Sequence, residues 1–576
     1  MKYRWKIASP DDEIVAQLAA SLSLPEIFAR CLANRGCASS DQASCYLEPK
    51  LARLSDPFLL PDMDRAVDRL LRAHKDQERF VIFGDYDVDG VTATALLHEF
   101  FQALGWHCLY YLPHRFEEGY GLTREAIQNC LERFKVKLVL AVDCGSTACD
   151  VIGELASGGT DVIMLDHHQV SAPAPAARAL VNPQRLFAHE HLKSLCSAGL
   201  AFKLAHALLK RCRTFGWPEA LNFDPKDLLD FVALGTIADL VPLHGENRIF
   251  ARVGLEKLAA SKRSGLAALK RVAGLNGPIN SHEVAFQLAP RLNAAGRLET
   301  ALDALELLLT KEVSRAEALA AALDAQNRER QSLEQKIAEE VLSTVRSHFD
   351  PAADFVIVEG QPTWHLGVVG IVASRVLREF HRPAIILGSD GSDQWRGSGR
   401  SIEGFDLAAG LRGCADLLVK HGGHAMAAGV TLAAGNLAPF RARLNEIVRK
   451  QISPDALHPC LNLDAEVSLA DLTFPTLQLF QRINPIGQAN PPIQLAARNL
   501  QLRGEPKLFG ASQQHLRLLV SDGSSMYQAV WWNCPAEFGF PSRFDLAFAP
   551  ELNEYNGTYG IQLKVLDLRS SVSSLL

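Results

Sequence analysis

The sequence predicts a multidomain α/β protein with a parallel sheet, a long bridging helix, a second α/β unit and a C-terminal β-barrel. Three short apolar runs alternate with helical stretches, as in a parallel sheet covered by helices. A long stretch without Gly or Pro follows, and the C-terminal part contains short strands with Asp-Gly and Asn-Gly turns. A chain of 576 residues is long enough for about three to five domains.

The first α/β unit is predicted at residues 76–310, after an N-terminal helical segment at residues 1–75 that we expect to pack on it. The apolar runs do not alternate with polar residues, which is typical of strands buried on both faces. The expected strands are 79–90, 137–146 and 161–169, and the helices between and beside them are 91–105, 123–134 and 148–157.

The bridging helix is predicted at residues 311–350, which are rich in Ala, Leu, Glu and Arg and too polar to be entirely core. A kinked pair of helices is the alternative interpretation. Residues 351–452 repeat the strand–helix–strand order and predict the second α/β unit. Residues 453–576 change to short β-rich runs and predict the small barrel.

Composition excludes several classes of protein. The chain has 59 Lys and Arg against 65 Asp and Glu, a net charge of −6, which excludes a uniformly basic nucleic-acid coat but not a local basic groove. No apolar run approaches the ~18 residues of a membrane span, and we expect a cytoplasmic protein without a secretory signal. The 12 Cys form no CxxC pair and predict reduced thiols.

Acidic residues and histidines collect where the predicted strands end. In an open α/β sheet, functional groups from different strands converge beyond the carboxyl ends of the strands. A further acid lies in the apolar stretch 231–243. The residues expected to meet are Asp85, Asp87, Asp89, Asp143, Asp166, His167, His168 and Asp239.

So many carboxylates in one crevice repel one another unless divalent cations neutralise them. Oxygen-rich ligands with one or two imidazoles and no Cys favour two Mn²⁺ or Mg²⁺ ions over Zn²⁺. A lone Asp after a strand is commonly a turn former or helix N-cap, and an adjacent His pair is commonly structural. The conjunction of three acidic strand ends favours a metal site that hydrolyses phosphoryl esters.

Four motifs resemble, in order, those of the DHH phosphoesterase superfamily: FGDYDVDGVTA, VDCGS, LDHH and GTIADLVPL. Six more resemble those of its bacterial single-strand-specific 5′→3′ DNA exonucleases. These are LPHRFEEGYGL, PRLNAAGRL, WHLGVVGIVASR, GSGRS, GGHAMAAG and NPIGQANPP. The resemblance implies that residues 76–310 form the catalytic DHH domain, residues 351–452 a substrate-binding DHHA1 domain and residues 453–576 an OB-fold.

The resemblance also implies the role of each site residue. Asp143 would lie between two metals, His168 would face the scissile phosphate, and Asp166 would orient the His pair. The nucleophile would be a metal-bound water. The implied metal ligands are Asp85, Asp87, Asp89, Asp143, His167 and Asp239, with Asp85 a less direct ligand than Asp87 and Asp89.

A phosphate-binding wall facing the metals is implied as well. Arg suits bidentate phosphate contacts, and Gly-rich turns offer backbone N–H groups, although surface Arg are usually only solvated. We expect Ser398 and Arg400 in a turn and His424 in a Gly-rich loop. The implied substrate-binding residues are Arg115, Tyr120, Arg291, Asn293, Arg297, Arg375, Ser398, Arg400 and His424.

The OB-fold suggests stacking on single-stranded DNA, with Tyr527, Trp531, Trp532, Tyr555 and Tyr559 as candidates. Adjacent Trp531 and Trp532 should point to opposite faces of a strand, so at most one should face DNA. The family suggests a single-strand-binding protein and a helicase as partners, and we expect a monomer. The alternatives are a phosphoesterase for small substrates and a scaffold that has lost its metals.

Overall fold

The computed structural model describes residues 3–114, 117–119, 121–185, 189–298, 300–389, 391, 393–534, 539–555 and 558–571. Its α/β multidomain architecture agrees with the predicted fold class. No helix in the described part of the chain is long and apolar enough to cross a membrane. The 12 Cys are all free thiols.

The N-terminal segment differs from the prediction in where it packs. Its elements are β1 (Arg4–Ile7), α1 (Asp12–Leu22), α2 (Glu26–Ala33), α3 (Ser40–Leu47) and α4 (Met63–Lys75). Only α4 packs in the core of the first α/β unit, whereas α1 to α3 bury their apolar faces in the C-terminal core. The prediction that residues 1–75 pack on the catalytic domain is therefore wrong for residues 1–47, because periodicity shows that a helix has an apolar face but not which partner covers it.

The first α/β unit contains a five-stranded parallel sheet in the order β3–β2–β4–β5–β6. Its strands are β2 (Phe80–Gly84), β3 (Cys108–Tyr111), β4 (Leu138–Val142), β5 (Asp161–Leu165) and β6 (Ala179–Val181). β2 and β4 are buried along their whole length, which explains their uninterrupted apolar sequences. The short strand β6 completes the sheet beside β5.

Helices cover both faces of this sheet and continue beyond it. They are α5 (Val88–Ala103), α6 (Arg124–Phe134), α7 (Cys149–Ser157), α8 (Ser197–Thr214), α9 (Pro218–Asn222), α10 (Leu229–Ala238), α11 (Gly245–Ala260), α12 (Ser264–Val272), α13 (Ser281–Glu283), α14 (Ala289–Leu298) and α15 (Leu302–Leu309). A π-helical turn, Val284–Leu288, joins α13 to α14.

The bridging helix α16 (Val313–His348) is continuous over 36 residues, about 54 Å at ~1.5 Å per residue. Its first half buries Ala316 and Leu323 in the core of the catalytic domain. Its second half buries Val341 and Val345 in a core of the next domain. One helix therefore fixes the two domains relative to each other, and the kinked-pair alternative is wrong.

The second α/β unit has a mixed sheet in the order β10–β11–β9–β8–β7, in which only β7 and β8 run parallel. Its elements are β7 (Ile357–Gly360), α17 (Val369–Phe380), β8 (Ala384–Ser389), β9 (Gln394–Arg400), α18 (Leu407–Arg412), β10 (Lys420–Gly423), β11 (Ala427–Ala433) and α19 (Leu437–Gln451).

The C-terminal unit is a seven-stranded sheet in the order β13–β14–β18–β19–β17–β16–β15, with a further short pairing of β14 with β16. Its elements are β12 (Cys460–Leu463), β13 (Ala465–Glu466), α20 (Phe474–Gln481), β14 (Leu495–Leu502), β15 (Lys507–Phe509), β16 (His515–Ser521), β17 (Met526–Trp531), β18 (Phe544–Tyr555) and β19 (Thr558–Ser570). β1 pairs in parallel with β12 and ties the two ends of the chain together.

Candidate metal centre

The acidic strand ends meet at one edge of the catalytic sheet, as predicted. Asp85 follows β2, Asp143 follows β4, and Asp166 with both His follows β5. Asp87 is the N-cap of α5, and Asp239 is the C-cap of α10. Three sets of ligand atoms lie within 4.8 Å of one another: Asp85, Asp87 and Asp143; Asp89, His167 and Asp239; and Asp143, His167 and His168.

His167 provides the test of whether these residues fit a metal. Its Nε2 atom is buried and has no hydrogen-bond partner among the described residues. It lies 3.4 Å from Asp143 Oδ1, 3.5 Å from Asp239 Oδ2 and 3.9 Å from Asp89 Oδ2. Two ligands each ~2.1 Å from one ion lie about 3–4 Å apart, so this spacing fits a shared divalent cation.

The N-terminus of α8 holds two of the carboxylates. The backbone N–H groups of Ser197 and Ala198 donate to the two oxygens of Asp89, at 2.6 and 2.8 Å. The Ser197 hydroxyl donates to Asp143 Oδ1 at 2.9 Å. A helix N-terminus favours negative charge, so α8 orients these carboxylates and partly compensates their burial.

The electrostatics of the centre favour a bound cation. Burial and the neighbouring carboxylates, Asp87 first among them, raise the pKa of Asp143 well above its usual range. Burial together with Asp89 and Asp87 raises the pKa of Asp239 to about 9. These carboxyl groups are poor anions in the protein alone, and a divalent charge would return them to the ionised state that ligation requires.

The second histidine is held differently from the first. His168 Nδ1 lies 2.7 Å from Asp166 Oδ1, and the His168 backbone N–H donates to the same oxygen. Burial lowers the pKa of His168, but the hydrogen bond to Asp166 and its charge outweigh burial and raise the pKa to about 9. Asp166 Oδ2 also accepts from the Ser146 backbone N–H at 2.9 Å. Asp166 therefore fixes the His168 ring beside the carboxylates.

His424 of the second α/β unit lines the same cavity as His168 and Asp166 of the catalytic domain. The cavity has a volume of about 620 Å³, and Asp166, His168 and the Gly145–Cys149 turn line it from the catalytic domain. Gly423 and His424 line it from the second domain. A predicted wall residue thus lies across this cavity from His168 and Asp166.

Ser398 and Arg400 lie in strand β9 rather than in the predicted turn, because Ser398 pairs with Gly429 and Arg400 with Ala427 in the adjacent strand β11. The Arg400 guanidinium donates to Ser398 Oγ at 2.8 Å. A Cβ atom on Gly370 of α17 would lie 3.0 Å from Ser398 Oγ and 3.2 Å from Arg400 Nη2. The helix therefore approaches the Arg–Ser pair as closely as a glycine permits.

The other predicted substrate residues have structural partners or lie outside the described residues. Arg291 pairs with Asp324 of the bridging helix at 2.9 Å, and Arg375 pairs with Glu334 of that helix at 2.8 Å. Asn293 Oδ1 accepts from the Val88 backbone N–H at 3.2 Å and so supports the acidic motif. Arg115, Tyr120 and the Arg297 side chain lie outside the part of the chain that the structure describes.

Comparison with known proteins places this arrangement in a family. Residues 79–236 match the DHH family, N-terminal domain, residues 353–450 the DHHA1 domain, and residues 463–567 the RecJ OB domain. The single-stranded-DNA-specific exonuclease RecJ of Bacillus subtilis is 38% identical over 98% of this chain and 71% of its own length. This chain belongs to the RecJ family.

Solved structures of the RecJ family agree in fold. RecJ of Thermus thermophilus in complex with Mn²⁺ has a TM-score of 0.85 and 30% identity, and the match covers 99% of this chain and 80% of that one. The same protein in complex with Mg²⁺ has a TM-score of 0.78 and 28% identity, covering 99% and 79%. The predicted resemblance to DHH exonucleases is therefore confirmed.

The RecJ OB domain separates the adjacent tryptophans as predicted. Trp531 is 8% exposed and belongs to the core, whereas Trp532 is 48% exposed and packs edge-on against Phe509 and His515. Tyr559 is also exposed, and the half-buried Tyr527 donates its hydroxyl to the Leu472 carbonyl. The Tyr555 side chain lies outside the described residues.

Sequence reasoning missed the residues that support the ligands in this RecJ-family site. Ser197 and Ser146 donate to Asp143 and Asp166. Asn182, which follows β6, donates to Ser146 Oγ at 2.8 Å and to the His168 carbonyl at 2.9 Å. The only sequence signal for Ser197 is that a small polar residue begins an apolar helix, and such residues are common.

Proposed function

We propose that this protein is a divalent-metal-dependent exonuclease that degrades single-stranded DNA from the 5′ end and releases 5′-mononucleotides. Its relative in Bacillus subtilis is named a single-stranded-DNA-specific exonuclease, and the similarity extends over almost the whole of this chain. The observation that carries the proposal is the cavity shared by His168 of the catalytic domain and His424 of the second domain.

The ligands fall into two groups that would hold Mn²⁺ or Mg²⁺. Asp89, His167 and Asp239 form one group, and Asp85, Asp87 and Asp143 form the other. Asp143 Oδ1 also lies 3.4 Å from His167 Nε2, so Asp143 is close to the ligands of both groups. Two such ions, when bound, supply an activated water and stabilise the leaving oxygen of a phosphodiester.

The residues of the chain supply orientation and charge to the phosphate. Asp166 holds His168 through Nδ1, so the proton on Nε2 is the one available to a phosphate oxygen. The hydrogen bond to Asp166 and the charge of Asp166 raise the pKa of His168 and so favour the protonated ring. Asp166 is therefore a positioning residue, and His168 stabilises the negative charge that develops on the phosphate.

The second domain would measure the product. Arg400 and Ser398 offer a half-buried cation and a hydroxyl, and His424 offers an imidazole at the cavity wall. Together with Arg115, Tyr120, Arg291, Asn293, Arg297 and Arg375, they would bind the terminal 5′-phosphate. A wall at a fixed distance from the scissile bond would make the product a mononucleotide.

The wider role follows from the family. We infer that the protein acts as a monomer in the cytoplasm, in DNA recombination and repair, together with a single-strand-binding protein and a helicase. The exposed Trp532 and Tyr559 support a contact between the OB domain and single-stranded DNA, because stacking on aromatic rings tolerates any base.

The test is digestion of 5′-labelled and 3′-labelled single-stranded DNA with Mn²⁺, Mg²⁺ or EDTA, beside matched duplex and RNA. We expect immediate release of the 5′ label as a mononucleotide, only from single-stranded DNA and only with metal. Asp143→Ala should lower the rate at least ~10²-fold, as does removal of a principal electrostatic group. Hydrolysis of dinucleotides with intact polymers would instead indicate the small-substrate phosphoesterase.

A further inference from the structure

An apolar cavity of about 450 Å³ lies where the catalytic domain meets the segment that leads into the C-terminal sheet. Leu240 and Phe286 line it from the catalytic domain, and Ile486 and Pro492 line it from that segment. Leu240 is 64% exposed and Phe286 is 67% exposed. Two large apolar side chains in solvent at one cavity are typical of a binding surface rather than of a core.

Irregular backbone holds both side chains outward. Leu240 adopts a left-handed conformation with φ of 57°, which a branched residue rarely adopts. Phe286 lies in the π-helical turn Val284–Leu288, and such turns occur frequently at functional sites. The His282 ring lies beside Phe286, with ring centroids 4.8 Å apart. The chain thus departs from regular geometry at the two positions where it exposes apolar groups.

This surface is continuous with the metal centre. Leu240 directly follows Asp239, one of the candidate ligands. Val241 lines both this cavity and a second one, whose lining includes His167, Lys193 and Glu190. The described lining of the apolar cavity contains no carboxylate, although acids outnumber bases in the chain and crowd the neighbouring centre. A polyanion can therefore cross the apolar cavity without passing an acidic side chain of its described lining.

We propose that Leu240 and Phe286 form a stacking platform for the bases of single-stranded DNA on the 3′ side of the scissile bond. The inference rests on the proposed exonuclease function and adds a binding site to it. The cavity with His424 receives the 5′-terminal nucleotide, and the strand that remains leaves past Asp239 onto the platform. Stacking is independent of sequence, as a nuclease of arbitrary strands requires.

The experiment compares Phe286→Ala, Phe286→Trp and Leu240→Ala with wild type on two 5′-phosphorylated substrates, a dinucleotide and a 40-nucleotide strand. The matched control is Phe215→Ala. Phe215 is 60% exposed and directly follows the C-terminal end of α8, about 27 Å along that helix from Ser197 at ~1.5 Å per residue. Thermal melting of each variant reports on folding.

Stacking of one base corresponds to about tenfold or more in affinity. We therefore expect Phe286→Ala to raise KM for the long strand about tenfold and to shorten each digestion run. Leu240→Ala removes an aliphatic contact rather than a ring, so it should raise the same KM by a smaller factor. Rates on the dinucleotide should stay within twofold of wild type. Phe286→Trp should keep wild-type KM, and Phe215→Ala should change neither substrate.

Two results would overturn the platform. An unchanged KM for the long strand in both alanine variants would assign the cavity to another occupant, such as an apolar peptide. An equal loss on both substrates would mean that the residues only support the metal centre. Either result leaves wild-type digestion of single-stranded DNA intact, whereas failure of the wild type itself would refute the proposed function.

Discussion

At the scale of single residues, the metal centre depends on donors that are not ligands. Asp89 and Asp143 are almost fully buried, and burial raises the pKa of each. Ser197 contacts both, through its backbone N–H and its hydroxyl. Outer partners of this kind fix the orientation of ligands and so decide how well the ligands bind an ion.

The Ser197 hydroxyl is the donor that a single substitution can remove without touching a ligand. Ser197→Ala removes the hydrogen bond to Asp143 but leaves the backbone N–H to Asp89 in place. We expect the Mn²⁺ concentration for half-maximal activity to rise about tenfold or more, as for other outer-ligand changes. The nuclease rate measured over a series of Mn²⁺ concentrations gives this half-maximal value. Ser157→Ala, which removes an exposed hydroxyl from α7, is the control and should match wild type. An unchanged titration for Ser197→Ala would contradict the orienting role.

At the scale of elements, the approach of α17 to β9 shapes the predicted phosphate wall. Gly370 packs over the Ser398–Arg400 pair in the space that a side chain would fill. The Arg400 guanidinium also donates a hydrogen bond to the Gly399 carbonyl at 2.9 Å, so it has little freedom to move away. The position of one helix thus fixes a cation on the neighbouring strand.

Gly370→Ala tests this packing. The added methyl group must displace Ser398 Oγ or Arg400, so KM for a 5′-phosphorylated strand should rise about three- to tenfold, a loss of ~1 kcal/mol of binding. Gly153→Ala is the matched control, since its Cβ in helix α7 meets nothing within 4 Å. The control should keep wild-type kinetics and gain up to ~1 kcal/mol of stability. Equal KM values for the two variants would count against a substrate role for the pair.

The elements also explain what the sequence could predict. Asp85, Asp143 and His167 could be brought together because parallel strands end at one edge of a sheet, whatever covers the sheet. The prediction of what α1 to α3 pack against was wrong, because an apolar helix face can pack on any apolar surface. Ser398 and Arg400 look like turn residues because the stretch is rich in Gly and Ser, and pairing with β11 overrides that local preference. Nothing local marks the π-helical turn at Phe286.

At the scale of the whole molecule, the two ends of the chain form one unit that docks on the catalytic domain through Arg248. This residue of α11 is 2% exposed. It donates to the carbonyls of Tyr46, Ile483 and Asn484 at 2.7, 2.9 and 3.0 Å. Its guanidinium also lies 3.8 Å from the centre of the Tyr46 ring. One side chain therefore fastens both terminal segments, including residues 483–484 just before Ile486, which lines the apolar cavity.

Arg248→Met should loosen this joint while leaving each core intact. The Tyr46 and Asn484 carbonyls lose the arginine donor while they stay partly buried, at up to about 1–3 kcal/mol for each unsatisfied group, whereas the Ile483 carbonyl keeps its hydrogen bond from Asn490. In the variant, we expect the terminal unit to unfold at a lower urea concentration than the catalytic domain. In wild type, the terminal unit should unfold at a higher urea concentration than it does in the variant. The control is Arg252→Met, which replaces an exposed arginine one turn further along α11 and should unfold as wild type does. Because the joint holds Ile486 and Pro492 at the cavity that Leu240 also lines, digestion of long strands should weaken more than digestion of dinucleotides. A single, unshifted transition for Arg248→Met would mean that the apolar contacts alone hold the unit in place.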